Sequence, residues 1–178
     1  MTSAGMNEQV VLVDEHDRAI GTMGKLEAHR SANLHRAFSV FVFDSHGRLL
    51  LQRRAEGKYH SGGLWSNTCC GHPRPTEHVA DAAIRRLGEE MGFTCPLRPQ
   101  FDFTYKADVG NDLIEHEFDH VFFGFTDTLP TPDPTEAGEW RYVEPAVLLN
   151  EIRSAPERFT VWLRACFPQV MLHLANAA

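Results

Sequence analysis

The chain has 178 residues, 43% hydrophobic and 23% charged, enough apolar material for one substantial core and short of what two domains usually need. Its formal net charge of −7 leaves no basic excess to neutralise phosphates, which argues against a nucleic-acid partner but not against a small anionic ligand held by a few placed cations. The longest apolar runs are far too short to span a bilayer, no secretion signal opens the chain, and four cysteines with two adjacent do not resemble a secreted disulfide framework; a reducing, cytoplasmic compartment is expected.

In chain order, residues 1–9 begin small and polar and are expected to form a flexible N-terminus, with one α+β domain over 10–178. QVVLVDEHDRAIG, from Gln9, reads as a strand, a turn and a return. FSVFVFDSHGRLLLQRR, from Phe38, is the clearest hairpin, two β-rich runs around the turn DSHG. GKYHSGGLWSN, from Gly57, carries three glycines and reads as a loop. Val79, Ala83, Leu87 and Met91 recur every four residues, with Ala80 and Ile84 widening the stripe, so the spacing predicts a helix over 79–91 that Gly92 ends. FDFTYKAD and LIEHEFDHVFFGFT alternate as strands do, LPTPDPTEAGE is a proline-rich loop, EWRYV is a strand, and the chain is mostly helical from about Pro145.

The stretch CCGH, residues 69–72, lacks the two-residue spacing of a zinc knuckle, and adjacent cysteines rarely bond to each other. From Gly71 the chain runs through five residues to Glu77, seven more to Arg85, and then RLGEEMGF. This frame resembles the signature of the Nudix family, in which a glycine, a glutamate and an arginine precede paired helix glutamates. Arg85–Glu89 and Arg86–Glu90 are both i,i+4 pairs. A helix carboxylate here can hold Mg²⁺, a hard ion that often binds through substrate phosphates. Arg86 stands where the signature has a glutamate; it removes one metal ligand and supplies a cation for an intact diphosphate.

Further potential ligands are scattered: His29, His35, His72, and Glu115 and Glu117 two apart on one face of a strand. Such a nitrogen–oxygen set suits Zn²⁺, Mn²⁺ or Mg²⁺, but spacing alone does not group the five, and each has an ordinary surface or core alternative. Through GKLEAH, LHRAFSVFVF, LLLQRRA, GLWSNTCCGHP, AAIRRLGEEMG, FTYKA and IEHEF, from about Val11 to Trp162, the chain resembles the type 1 isopentenyl-diphosphate Δ-isomerase family, a divergent branch of the Nudix superfamily. The resemblance implies a Nudix-like mixed β-sheet sandwich flanked by helices, in a single domain. It implies conversion of isopentenyl diphosphate to dimethylallyl diphosphate through a tertiary carbocation-like intermediate.

By the same resemblance, His29, His35, His72, Glu115 and Glu117 hold one divalent metal (Mn²⁺, Zn²⁺ or Mg²⁺). Glu90 and the backbone carbonyl of Cys70 hold a Mg²⁺ that arrives with the diphosphate. Glu117, aided by Tyr105, and Cys70 exchange protons with the substrate, and a metal at His72 would favour the Cys70 thiolate. Trp162 faces the developing cation, and Lys25, Arg54, Lys58 and Arg86 bind the diphosphate. Cys69 is expected to be a buried small hydrophobe, Cys95 and Cys166 have no expected partner, and the oligomeric state is monomer or homodimer. Two rivals are a Nudix hydrolase, which explains Glu77, Arg85, Glu89 and Glu90 but not Arg86, Cys70 or the histidines, and a non-catalytic diphosphate- or metal-binding module.

Overall fold

The computed structural model describes residues 8–177. Of the stretch expected to be flexible, residues 1–7 lie outside the described residues; Gln9 already pairs in the first strand. Strand β1 (Gln9–Val13) turns back into β2 (Ala19–Gly24), and helix α1 (Lys25–Ser31) follows directly. Then come β3 (His35–Phe43), β4 (Leu49–Arg54), the short β5 (Trp65–Ser66) and β6 (Cys69–Gly71), and helix α2 (Val79–Met91). The long hairpin β7 (Leu97–Gly110) and β8 (Leu113–Phe125) precedes β9 (Ala137–Val143), α3 (Pro145–Ser154), a 3₁₀ turn at Pro156–Arg158 and α4 (Val161–Ala177).

All nine strands join one mixed sheet. Its hub is β3, antiparallel to β6 and parallel to β8, with pairings that include Ser39↔Cys70 and His35↔Glu117. The period of two in β3 splits the core cleanly. Phe38, Val40 and Val42 pack with Leu50 against Ala82, Ala83, Leu87 and Met91 of α2. Phe41 and Phe43 pack with Leu49, Leu51, Val121 and Phe123 against Leu148, Leu163 and Phe167 of α3 and α4. Both faces of β3 and β4 are therefore buried under helices, which is why these strands read as apolar runs. The sheet is sandwiched between helices, as the mixed α+β expectation requires.

Helix α2 has the bounds its apolar spacing predicts. Gly92 ends it at φ 73°, and a Cβ there would fall 2.2 Å from Oγ1 of Thr131, so both conformation and space demand glycine. The expected strands are present and the β7–β8 pair is longer than its alternation suggested. One element corrects the sequence reading and two lie where it assigns none. The loop from Gly57 contains β5, CCG is itself a strand, and residues 25–31 form a helix. Ala32 ends α1 in the left-handed region at φ 53°.

Candidate active site

The CCG strand settles the fates of its two cysteines by geometry. Residues opposite each other in an antiparallel pair share a face. Cys69 opposes Val40 and is fully buried against α2, while Cys70 opposes Ser39 on the other face and is only half-buried. Gly71 opposes Phe38, whose ring carbon Cζ would lie 3.1 Å from any added Cβ, so the strand needs a small residue here. Burial raises the Cys69 thiol well above its usual range and pushes Cys70 up to about 12. The protein alone thus holds Cys70 as a thiol; the thiolate expectation concerns the site with a metal at His72.

Three elements and the segment after a fourth bring the five potential ligands together. Helix α1 presents His29 one turn after Lys25, and the His29 Nδ1–H donates to the Lys25 carbonyl at 2.6 Å. His35, which opens β3, donates from Nδ1 to the carbonyl of Asn33 at 2.8 Å. Both bonds turn Nε2 inward, the arrangement that orients imidazole ligands. Glu115 and Glu117 share a face of β8, and His72 follows β6. One donor atom from each of the five lies within 4.8 Å of the others, and all five residues are buried.

Within the cluster, His29 Nε2 lies 2.9 Å from Oε2 of Glu115, and His72 Nε2 lies 2.8 Å from Oε1 of Glu117. Burial and the Glu115 charge work to raise the Glu117 carboxyl, but the neighbouring imidazoles of His35, at 3.7 Å, and His72, at hydrogen-bond distance, outweigh them and hold it low. Burial, helped by the Lys25 charge, lowers His72 to about 4 and leaves its imidazole neutral. His35 Nε2 and His72 Nδ1 are buried without a hydrogen-bond partner. Unsatisfied nitrogens beside two carboxylates are what a divalent cation would satisfy, so the residues present fit such an ion.

The cluster borders a cleft of about 870 Å³. Eleven of the thirteen expected site residues line it: Lys25, Arg54, Lys58, Cys70, His72, Arg86, Glu90, Tyr105, Glu115, Glu117 and Trp162. His29 and His35 lie behind it, fully buried. Cys70 and Glu117 sit on the strands either side of β3, and Tyr105, opposite Glu117 on β7, donates its hydroxyl to Glu117 Oε2 at 2.6 Å. Trp162, near the start of α4, donates from Nε1 to Ser66 Oγ at 2.9 Å and Asn67 Oδ1 at 3.2 Å. The guanidinium of Arg54 lies over its ring, 5.1 Å from the centroid. Lys25 pairs with Glu8 at 3.1 Å and lies over the Tyr59 ring.

On α2 the two i,i+4 pairs form as expected. Arg85 grips Glu77 through Nε at 2.7 Å and Nη2 at 2.8 Å, a two-pronged bond that ties the loop after CCGH to the helix. Both oxygens of buried Glu90 are engaged, by Gln52 Nε2 at 2.8 Å and Arg86 Nη2 at 2.6 Å.

Several residues were not singled out from the sequence. His60 places Nε2 3.0 Å from Oε1 of Glu115 and its ring edge-on to Trp162. Asp119 continues the Glu115–Glu117 face of β8 and accepts a bond from Ser39 Oγ at 2.8 Å, and burial raises its carboxyl well above the usual range. The alternation of β8 could have flagged Asp119. Nothing in the glycine-rich loop flags His60.

Gly71 at the end of a strand, Glu77 in the loop after it, and Arg85, Glu89 and Glu90 on the helix that follows, all on a mixed sheet, define the Nudix class, and the NUDIX domain family model matches residues 33–163. A Deinococcus radiodurans crystal structure superposes with a TM-score of 0.77 over 91% of this chain and 98% of that one, at 22% identity. A MutT protein from Methanosarcina mazei superposes at 0.62 over 76% and 91%, at 20% identity. These likenesses are of fold. In sequence, the chain is 58% identical over 166 residues to isopentenyl-diphosphate Delta-isomerase 2 of Aromatoleum aromaticum, covering 93% of this chain and 88% of the relative. It is 57% identical over 157 residues to the isopentenyl-diphosphate Delta-isomerase of Burkholderia multivorans, covering 88% and 89%. The chain belongs to the isopentenyl-diphosphate Delta-isomerase family of Nudix-fold proteins.

Proposed function

We propose that this protein is an enzyme that converts isopentenyl diphosphate to dimethylallyl diphosphate in isoprenoid biosynthesis. The observation that carries the reading, beyond the shared family, is a thiol and a carboxyl flanking β3 in one cleft, beside a buried ligand cluster. The reaction adds a proton to the terminal methylene carbon and removes one from the carbon two positions nearer the diphosphate, so the composition is unchanged. The carbon between them passes through tertiary cation character, which calls for a proton donor, an acceptor and little water.

Glu117 and Cys70 are the proton-exchanging pair. In the forward direction Glu117 delivers the proton, with Tyr105 bonded to its Oε2, and Cys70 takes one from the other side. Without a metal, burial keeps the proton on the Cys70 thiol and the neighbouring imidazoles hold Glu117 low, so the forward direction needs that proton moved to Glu117 before the alkene reacts. The direction of reaction follows from which member carries it when the alkene is bound. Trp162 offers a ring face to the cation, worth roughly 0.5–2 kcal/mol. That a guanidinium rests over this ring supports its affinity for positive charge.

His29, His35, His72, Glu115 and Glu117 would hold the Mn²⁺, Zn²⁺ or Mg²⁺ ion, and Glu90 with the Cys70 carbonyl would hold the Mg²⁺ of the diphosphate. Bound there, a divalent ion supplies fixed positive charge that makes a neighbouring carboxyl a stronger acid. Lys25, Arg54, Lys58 and Arg86 bind the diphosphate, the arginines by their paired N–H geometry and the lysines as point charges. Four free cysteines, three of them buried, agree with a cytoplasmic setting. Among the described residues no helix is long and apolar enough to cross a membrane.

Incubation with isopentenyl diphosphate in heavy water tests the reading. Deuterium should enter both isomers in the presence of divalent metal and not after chelation. Release of inorganic phosphate without isomer formation would replace it with the hydrolase reading.

A further inference from the structure

Glu136 has no part in the chemistry above, yet its carboxylate holds two of the cations assigned to the diphosphate. Its Oε2 is bonded to the ammonium of Lys58 and lies 3.2 Å from Nη2 of Arg86. The backbone fixes it in place. Its N–H donates to the Asp133 carbonyl at 2.9 Å, and its own carbonyl accepts from the Ala55 N–H at 2.9 Å. Ala55 opens the loop that carries Lys58, so one residue anchors that loop through its backbone and the loop's cation through its side chain. Glu136 lines the cleft with its side chain about one-fifth exposed. Burial works to raise its carboxyl, but Lys58 and Arg86 outweigh burial and keep it low, so it is an anion at neutral pH.

We infer that Glu136 is a resident counter-anion: it occupies the place of a substrate phosphate on Lys58 and Arg86 and is displaced when the diphosphate binds. The inference rests on the proposed diphosphate-binding role of those two cations. An incoming diphosphate, itself multiply charged, meets an Arg86 already contacted by Glu89, Glu90 and Glu136. Of the three, Glu136 alone lies off α2, and alone shares its oxygen with a second cation assigned to the diphosphate, Lys58. Its withdrawal therefore frees two binding groups at once.

Two opposing effects follow from deleting the carboxylate. The cations lose a competitor, which tightens diphosphate binding, and they lose an organiser, which weakens it. The first wins here because each cation has other supports. Arg86 is held by Glu89 at 2.8 Å and Glu90 at 2.6 Å, and the loop that positions Lys58 is closed by its backbone N–H, which donates to the Ala55 carbonyl at 3.2 Å. Removal of charge-assisted bonds to two half-buried cations is expected to tighten binding about tenfold.

Calorimetric titration of the full chain with inorganic diphosphate, in Mg²⁺ at low salt, tests this. Glu136→Gln keeps the shape and removes the charge, and should bind about tenfold more tightly than the parent. Glu136→Asp keeps the charge on a side chain too short to reach both cations, and should fall between the two. If the glutamine variant does not fold, the aspartate variant decides alone, again by binding more tightly than the parent. A merely structural role would weaken binding. Parent-like or weaker binding in the folded variants, with the parent binding normally, overturns the inference and leaves the diphosphate reading intact. Absence of diphosphate binding in parent and variants overturns that reading, and the inference with it.

Discussion

Cys69 and Cys70 are neighbours in sequence and strangers in space, because successive residues of a strand point to opposite faces. Cys69 is core, while Cys70 shares the cleft with Glu117, Tyr105 and Trp162. The roles given to Cys70 and Glu117 make a sharp prediction. Cys70→Ala removes one proton carrier and Glu117→Gln the other, and each should lower kcat by roughly a thousandfold or more. Neither should unfold the protein. Cys70 is half-buried and the change costs a small cavity, and Gln keeps the volume of Glu117 and can still bond Tyr105. Steady-state rates, with circular dichroism and melting curves alongside, check this; near-parental rates in either folded variant would remove that residue from the reaction. Arg86 shows the same dependence on surroundings. In sequence it is a departure from the Nudix signature. In the fold it joins α2 to the loop before β9 through Glu136.

At the scale of elements, the site depends on a clamp that spacing does not reveal. Asn67 is fully buried and donates from Nδ2 to the carbonyls of Val40 at 3.2 Å and Cys69 at 2.7 Å. Its Oδ1 accepts from Ser66 Oγ and from Trp162 Nε1, so α4 is tied to the strand that carries Cys70. Ser66→Ala removes the shorter of the two indole bonds and should lower kcat about five- to tenfold, the scale of one hydrogen bond. In a Trp162→Phe background, which has no N–H to orient, the same change should cost nothing further; equal losses in both backgrounds would show that Ser66 acts on the fold and not on the ring. Long periodic elements were legible: α2 from its four-residue spacing, β3 and β4 from their apolar runs around DSHG, β8 from alternation. Helix α1 was not, because seven residues span under two turns and leave too short a pattern to separate from loop. The two-residue β5 was hidden for the same reason, and the contacts that place His60, Ser66, Asn67 and Glu136 in the site, to Glu115, Trp162, Lys58 and Arg86, are long-range in sequence. The ligand and proton-transfer residues were legible through resemblance to a family, since no spacing rule links His29 to Glu115.

For the whole molecule, the site is assembled from almost the entire chain. Lys25 and His29 come from α1, His35 from β3, Cys70 from β6, Arg86 and Glu90 from α2, Glu115 and Glu117 from β8 and Trp162 from α4. No fragment contains it, so an ion bound by the five-ligand cluster stabilises the folded state as a unit. Without an ion, the two buried carboxylates are held by imidazoles and the Tyr105 hydroxyl, and the Nε2 of His35 and Nδ1 of His72 lack partners. Such groups are costly to bury unsatisfied, on the order of 1–3 kcal/mol each. Chelation should therefore lower the melting temperature, and adding back Mn²⁺, Zn²⁺ or Mg²⁺ should restore it. An ion at a hundred times its dissociation constant contributes about 2.7 kcal/mol, which in a domain of this size raises Tm by roughly 5–10 °C. Because the ligands are spread over residues 29–117 and come from a helix, two strands and the loop after a third, the shift should move one cooperative transition and not split it. Glu115→Gln removes one ligand charge while keeping the side chain, and should abolish most of the metal-dependent shift. An unchanged Tm on chelation and metal addition, in protein shown by elemental analysis to lose and regain the ion, would mean that the cluster is not where the ion binds.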